Sequence, residues 1–244
     1  MLVNVDVRAL EWVTGTWLAK DKTAYEEIRS GADQHTDNQA KFGLPSRLIA
    51  KIFVFRLIYG GSAYAYANDP DFESVRGSQQ FWQNAIDAFY EKYGGWKQWH
   101  TTIFKEVVET GRLVMPTGRV FEFEQKRSFN GMEWPRTEIL NYPVQGTGAD
   151  LVSIARQLAW RSIKEARLRA IPVSTVHDSI VYDAPDSEAK LVGSLILKAI
   201  QDTPKRFSEL FKVNFDLPLT GEVTIGYNYK DMQDITKEIL QNAN

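Results

Sequence analysis

The chain has no cysteine, which excludes disulfides and thiolate metal sites and makes an intracellular, cytoplasmic setting the default expectation. No apolar run approaches the length needed to cross a bilayer, so no membrane partner is expected. The opening, MLVNVDVRAL, lacks the basic region and apolar stretch of a signal peptide. An excess of positive charge is also missing. The formal net charge of −2 argues against holding nucleic acid by bulk basicity alone, leaving only a local basic groove. There is no internal repeat and no low-complexity segment. What remains is ordinary for a globular protein: 244 residues, 43% apolar and 25% charged, enough for one or two domains with a substantial core.

Residues 2–8 alternate, with Val3, Val5 and Val7 pointing one way and Asn4, Asp6 and Arg8 the other. This reads as a strand with one packed face and one working face. Helical spacing follows from Glu11 through Trp17 and Leu18, and a short helix from Thr23 to Ser30 is closed by Gly31. Residues 33–43 are polar, and Pro45 fits near the start of a long helix that runs to about Tyr59 and ends at Gly60-Gly61-Ser62. Aromatic-rich helical stretches are expected over 72–93 and 96–109, a hairpin between Arg112 and Gln125, and a polar connection over 126–136. A strong helix carries Leu151, Ile154, Ala155 and Leu158, and residues 173–182 read as strand, tight turn, strand. An amphipathic helix over 187–201 and a closing strand over 222–227 complete the chain. Strands at both ends around a mostly helical block point to an α+β platform interrupted by a helical insertion.

Three features carry candidate chemistry. Steps of four residues drift only about 40° around a helix, so Arg47, Lys51, Phe55 and Tyr59 form a slanted stripe about 18 Å long. Cations at one end and rings at the other suit a nucleoside triphosphate. The alternative is an amphipathic helix whose rings are core and whose cations are solvated. Asp6 on a strand and Asp178 in the His177-Asp178 turn are the second and third features. Two such carboxylates held close can bind a pair of Mg²⁺ ions, although taken singly an Asp on a strand is more often a surface residue and a His-Asp turn more often a plain turn.

Taken together in order, these segments resemble the polymerase domain of family A DNA polymerases. Asp6-Val7-Arg8-Ala9-Leu10-Glu11 looks like the first catalytic motif, Arg47 through Gly60 like the fingers helix, and Asn141 through Asp150 like the Asn-x-x-x-Gln-Gly-x-x-Ala-Asp segment opening a palm helix. Val176-His177-Asp178 looks like the second carboxylate motif, and Gly221-Glu222-Val223 like the closing strand. The resemblance implies an antiparallel palm sheet with helices, in two parts over 1–30 and 131–244, carrying an inserted helical fingers subdomain over 31–130. It implies two Mg²⁺ ions on Asp6 and Asp178, and triphosphate contacts from Arg47, Lys51 and His35. Tyr59 would stack near the nascent pair, Glu11 would exclude ribonucleotides, and Phe55 implies poor acceptance of dideoxynucleotides. Asn141, Gln145 and His177 would read the minor groove of primer-template DNA. Arg136 lies one place from a family arginine that touches DNA, with Thr137 at the matched position.

The sequence departs from the family at Ser179, where an acidic residue commonly stands, at Arg56, where glycine is usual, and at Ala9. The tryptophans at 82, 96, 99 and 134 read as fingers core, and His100 as structural or exposed. The resemblance leaves no counterpart here for a thumb or a proofreading exonuclease. The expectation is therefore one part of a split, phage-type polymerase that uses dNTPs, with a second polypeptide supplying the thumb and remaining palm. A catalytically weak accessory or DNA-binding subunit is the alternative.

Overall fold

The computed structural model describes residues 1–129 and 131–242. In chain order the elements are β1 (Leu2–Val7), α1 (Leu10–Ala19), α2 (Lys22–Ser30), α3 (Gln34–Lys41), α4 (Arg47–Leu57) and α5 (Ala63–Ala67). A 3₁₀ turn (Pro70–Val75), α6 (Gln79–Lys92), α7 (Gly94–Thr110), β2 (Arg112–Val114), β3 (Val120–Glu122), β4 (Lys126–Ser128) and β5 (Gly131–Glu133) follow. The remainder is α8 (Arg136–Glu165), β6 (Ile171–Val176), β7 (Ser179–Asp183), α9 (Ala189–Phe211), β8 (Gly221–Gly226), β9 (Gln233–Asp234) and α10 (Thr236–Asn242). The chain divides into two compact units, one formed by Met1–Val13 with Gly146–Asn244 and the other by Thr14–Gln145. Among the described residues no helix is long and apolar enough to cross a membrane.

The first unit is built on a five-stranded antiparallel sheet in the order β6-β7-β1-β8-β9. The period-two alternation of β1 works as the sequence dictates: Val3, Val5 and Val7 are buried and Asn4 and Asp6 face the other side, half-buried. Helix α9 covers the valine face through Val192, Ile196 and Ile200. The approach is close at Gly193, where an added Cβ would meet Val223 Cγ1 at 2.7 Å, so a larger residue there would push helix from sheet. Strand β6 is the sheet edge and stays largely exposed, with Ile171, Val173 and Val176 at 54%, 50% and 49%.

The second unit is helical around an aromatic core. Phe53, Tyr66 and Trp82 stack with centroids 5.0–5.9 Å apart, Phe72 joins them edge-on or tilted, and burial of such rings is the main apolar gain of this unit. Trp82 and Trp96 are fully buried, as expected of core, while Trp99 and Trp134 are half-buried. His100 is buried, its Nδ1 2.9 Å from the Tyr90 hydroxyl, and burial pushes its pKa down to about 3.

Several local expectations change. The polar stretch after Asp33 is a helix, α3, because Asp33 accepts from the His35 and Thr36 amides and starts it. Residues 70–75 form a 3₁₀ turn separated from α6, which Ser78 caps afresh through the Phe81 amide. The connection over 126–136 contains the β4–β5 hairpin. Helix α8 begins at Arg136, ahead of the Asn141 segment, and runs through Pro143, Gly146 and Gly148. Its buried stripe of Leu140, Val144, Leu151, Ala155 and Ala159 outweighs the poor local helix propensity.

Candidate active site

In the first unit Asp6 lies on β1, and Asp178 lies in the turn just before the neighbouring strand β7. Asp6 pairs with Ser179 of β7 on one side and with Glu222 of β8 on the other. Asp178 occupies the two-residue turn between β6 and β7, and its carbonyl accepts from the Val7 amide at 3.1 Å. Both aspartates are half-buried. His177 takes a left-handed backbone, φ 53°, which lets the turn close in two residues and leaves its ring exposed. Ser179 turns its hydroxyl back onto the Val176 carbonyl at 3.0 Å, so this position fastens the hairpin instead of adding a carboxylate. Glu222, missed in the sequence, is placed beside Asp6 by register alone, and its carboxylate reaches Arg8 at 3.4 Å. Glu11 sits half-buried in the first turn of α1.

Among the described residues there is no cluster of three or more histidine or acidic side chains suited to hold a metal. Two half-open carboxylates on adjoining backbone nevertheless fit Mg²⁺. That ion takes few protein carboxylates and completes its shell with water and phosphate oxygens.

The second unit carries the cationic stripe. Ser46 caps α4 by accepting from the Ile49 amide at 3.2 Å, and Ile49, Ala50, Phe53, Val54 and Leu57 form the buried face. Arg47 and Lys51 are exposed and Phe55 and Tyr59 half-buried. The cations of the stripe thus lie on the exposed face of the helix and its rings at the margin of the core. Tyr59 falls just past the helix, in a tightened turn where its amide reaches the Arg56 carbonyl at 3.2 Å. Gly60 follows with φ 87°, where a side chain would be strained. The Tyr59 hydroxyl accepts from Gln145 Nε2 at 3.0 Å.

Helix α3 brings His35 toward the same cations. Its Nδ1 is buried with no hydrogen-bond partner among the described residues, and its pKa is lowered by burial and then by the charges of Arg47 and Lys51. Arg47 itself is gripped by Asp33, through Nε at 2.8 Å and Nη2 at 3.1 Å. These bonds hold the Asp33 carboxyl far below the usual range and raise Arg47. Asp33 went unmarked in the sequence because nothing local links it to a residue fourteen positions on.

Arg56 pairs with Asp69 and with Asp71, the latter at 2.5 Å, and lies over the Phe72 ring at 5.1 Å. Arg56 thus ties α4 to the 3₁₀ turn. On α8, the Arg136 guanidinium lies 5.0 Å from the Phe104 ring, and Asn141 Oδ1 is buried without a partner among the described residues. Arg47, Lys51, His35, Tyr59 and Gln145 are thus gathered within the second unit, and Asp6, Asp178, His177 and Glu11 belong to the first.

The chain is similar to known proteins along most of its length. The chain is 27% identical over 223 residues to a DNA polymerase of Bacillus phage SP01, covering 87% of this chain and 24% of that protein. It is 26% identical over 240 residues to DNA polymerase I of Treponema pallidum, covering 94% of this chain and 23% of the relative. The chain therefore spans about a quarter of the length of these relatives. In fold it is similar to the POL domain of Pol1 from M. smegmatis, solved in complex with DNA primer-template and dNTP. The TM-score is 0.77 at 20% identity, over 95% of this chain and 40% of that one. The profile of DNA polymerase family A matches residues 1–231, and the chain belongs to that family.

Proposed function

We propose that this chain is the fingers and catalytic palm of an enzyme that performs template-directed DNA synthesis. The observation that carries the reading is the placement of Asp6 and Asp178 at adjoining ends of paired strands, in a chain matched by a polymerase family along nearly its whole length. The reaction is attack of a primer 3′-hydroxyl on the α-phosphorus of a dNTP, with release of pyrophosphate. Asp6 and Asp178 would hold two Mg²⁺ ions, which when bound supply charge neutralisation at the phosphates and a more acidic attacking hydroxyl. Arg47 and Lys51 bind and orient the triphosphate, and the unpartnered His35 Nδ1 is free to join them.

Tyr59 flanks the nascent pair and Glu11 restricts the sugar. Asn141, Gln145, His177 and Arg136 meet the duplex, where minor-groove acceptors occupy similar positions for every base pair. In this assignment the palm comprises 1–30 and 131–244 and the fingers 31–130, and the enzyme works inside the cell.

A second polypeptide supplying the thumb and remaining palm belongs to the same proposal. Edge strand β6, with its exposed Ile171, Val173 and Val176, is the surface it would cover, since a bare apolar edge invites a partner strand.

The test is primer extension with Mg²⁺ and dNTPs, using the chain with and without a separately expressed thumb-and-palm polypeptide. Extension that disappears in Asp178→Ala is expected. Undiminished extension by Asp178→Ala would refute the catalytic assignment. Full activity of the chain alone, at the mass of a monomer, would refute the need for a partner.

A further inference from the structure

Helix α3 and helix α4 are tied together by one carboxylate. Asp33 accepts from the His35 amide at 3.2 Å, from the Thr36 amide at 3.4 Å and from Thr36 Oγ1 at 2.9 Å, fixing the first turn of α3. The same group takes Arg47 in a two-pronged grip through Nε and Nη2. A guanidinium carries five N–H donors in a rigid fork, so two go to Asp33 and, among the described residues, those of Nη1 stay available on the side away from the carboxylate. From this geometry, and building on the triphosphate role proposed above for Arg47, we infer that Asp33 is a positioning residue for nucleotide binding. It sets the plane of the Arg47 guanidinium and does not compete with phosphate for it.

Two physical points favour positioning over a plain stabilising ion pair. Asp33 and Arg47 are 49% and 56% exposed, and pairs at that exposure add little to folding free energy. An unrestrained arginine side chain, in contrast, loses much rotamer entropy when it engages a ligand. A carboxylate that has already fixed the fork removes part of that loss from binding. The grip also persists across the working pH range, because Asp33 stays ionised far below neutrality. Arg47 and His35 are thus oriented by one group, from the first turns of two helices whose sequence positions alone would not join them.

A double-mutant cycle separates positioning from competition. Binding of dTTP with Mg²⁺ is measured by calorimetry for the parent, Asp33→Asn, Arg47→Ala and the pair combined. Asparagine is as good a helix cap as aspartate, so α3 should persist, and the removal of one negative charge affects both arms of the cycle equally. Arg47→Ala is expected to weaken dTTP about tenfold in the parent and less than about threefold in the Asp33→Asn background. A penalty as large or larger in the Asp33→Asn background would overturn positioning and establish competition. No penalty in the parent would instead sink the triphosphate role of Arg47, and the inference with it. Should Asp33→Asn melt early, Asp33→Ser keeps a capping oxygen without the fork and serves in the same cycle.

Discussion

Asp21 is the residue whose removal should most clearly expose how the helical unit is assembled. Its side chain is buried, with 2% of its surface exposed. One oxygen caps α2 by accepting from the Ala24 amide at 3.0 Å. The other reaches across to the start of α7, accepting from the Gly95 amide at 2.7 Å and the Trp96 amide at 3.3 Å. Helix α7 has no side-chain cap of its own, so this distant carboxylate satisfies its orphan donors and faces its positive end.

Asp21→Ala would remove one ordinary cap, about 1 kcal/mol. It would also take this acceptor from the half-buried Gly95 amide and the buried Trp96 amide, at about 1–3 kcal/mol each. The total is about 3–7 kcal/mol. For a chain of this length that corresponds to a fall in melting temperature of roughly 6–28 °C. Asp21→Asn keeps one acceptor oxygen and should lose about half as much. Thermal unfolding followed by tryptophan fluorescence, to which the buried Trp82 and Trp96 contribute, measures both variants. A melting temperature for Asp21→Ala within about 2 °C of the parent would refute the bridging-cap argument.

Two further outcomes follow from other parts of the molecule. Glu11→Ala should raise incorporation of ribonucleotides relative to deoxyribonucleotides by tenfold or more in primer extension, about 1.4 kcal/mol of lost discrimination; an unchanged ratio would remove Glu11 from sugar selection. His100 should make stability pH-dependent. Its folded pKa of about 3 lies below the ordinary 6.5, so the unfolded chain takes up the proton first and stability falls as pH drops from 6.5 toward 3. Between pH 7 and pH 5 this group alone should cost about 2 kcal/mol, read from urea midpoints, and His100→Gln should flatten that slope.

Much of the architecture was legible in the residues themselves. The alternation of β1, the closure of α2 by Gly31 and the two-residue turn at His177-Asp178 rest on local backbone preferences, and the structure keeps each of them. The order of the motifs was enough to suggest a polymerase family before any coordinates, because that signal lies in residue identity and spacing. Boundaries were less legible where tertiary burial outweighs propensity. Helix α8 passes through Pro143 and two glycines because one face is packed against the core, which no window of local sequence reports.

The sequence by itself determined which residue types were available: two aspartates of the kind that can hold a metal, a basic and aromatic helical stripe, no cysteine and no basic excess. Only the tertiary structure decided their company. Sheet register put Glu222 beside Asp6 and the Val7 amide on the Asp178 carbonyl. Folding brought Asp33 onto Arg47, Asp69 and Asp71 onto Arg56, and Asp21 under the start of α7. Periodicity encodes which face of an element is buried. It carries no information about which side chain, far along the chain, will meet it there, since that depends on how the packed elements close around one another.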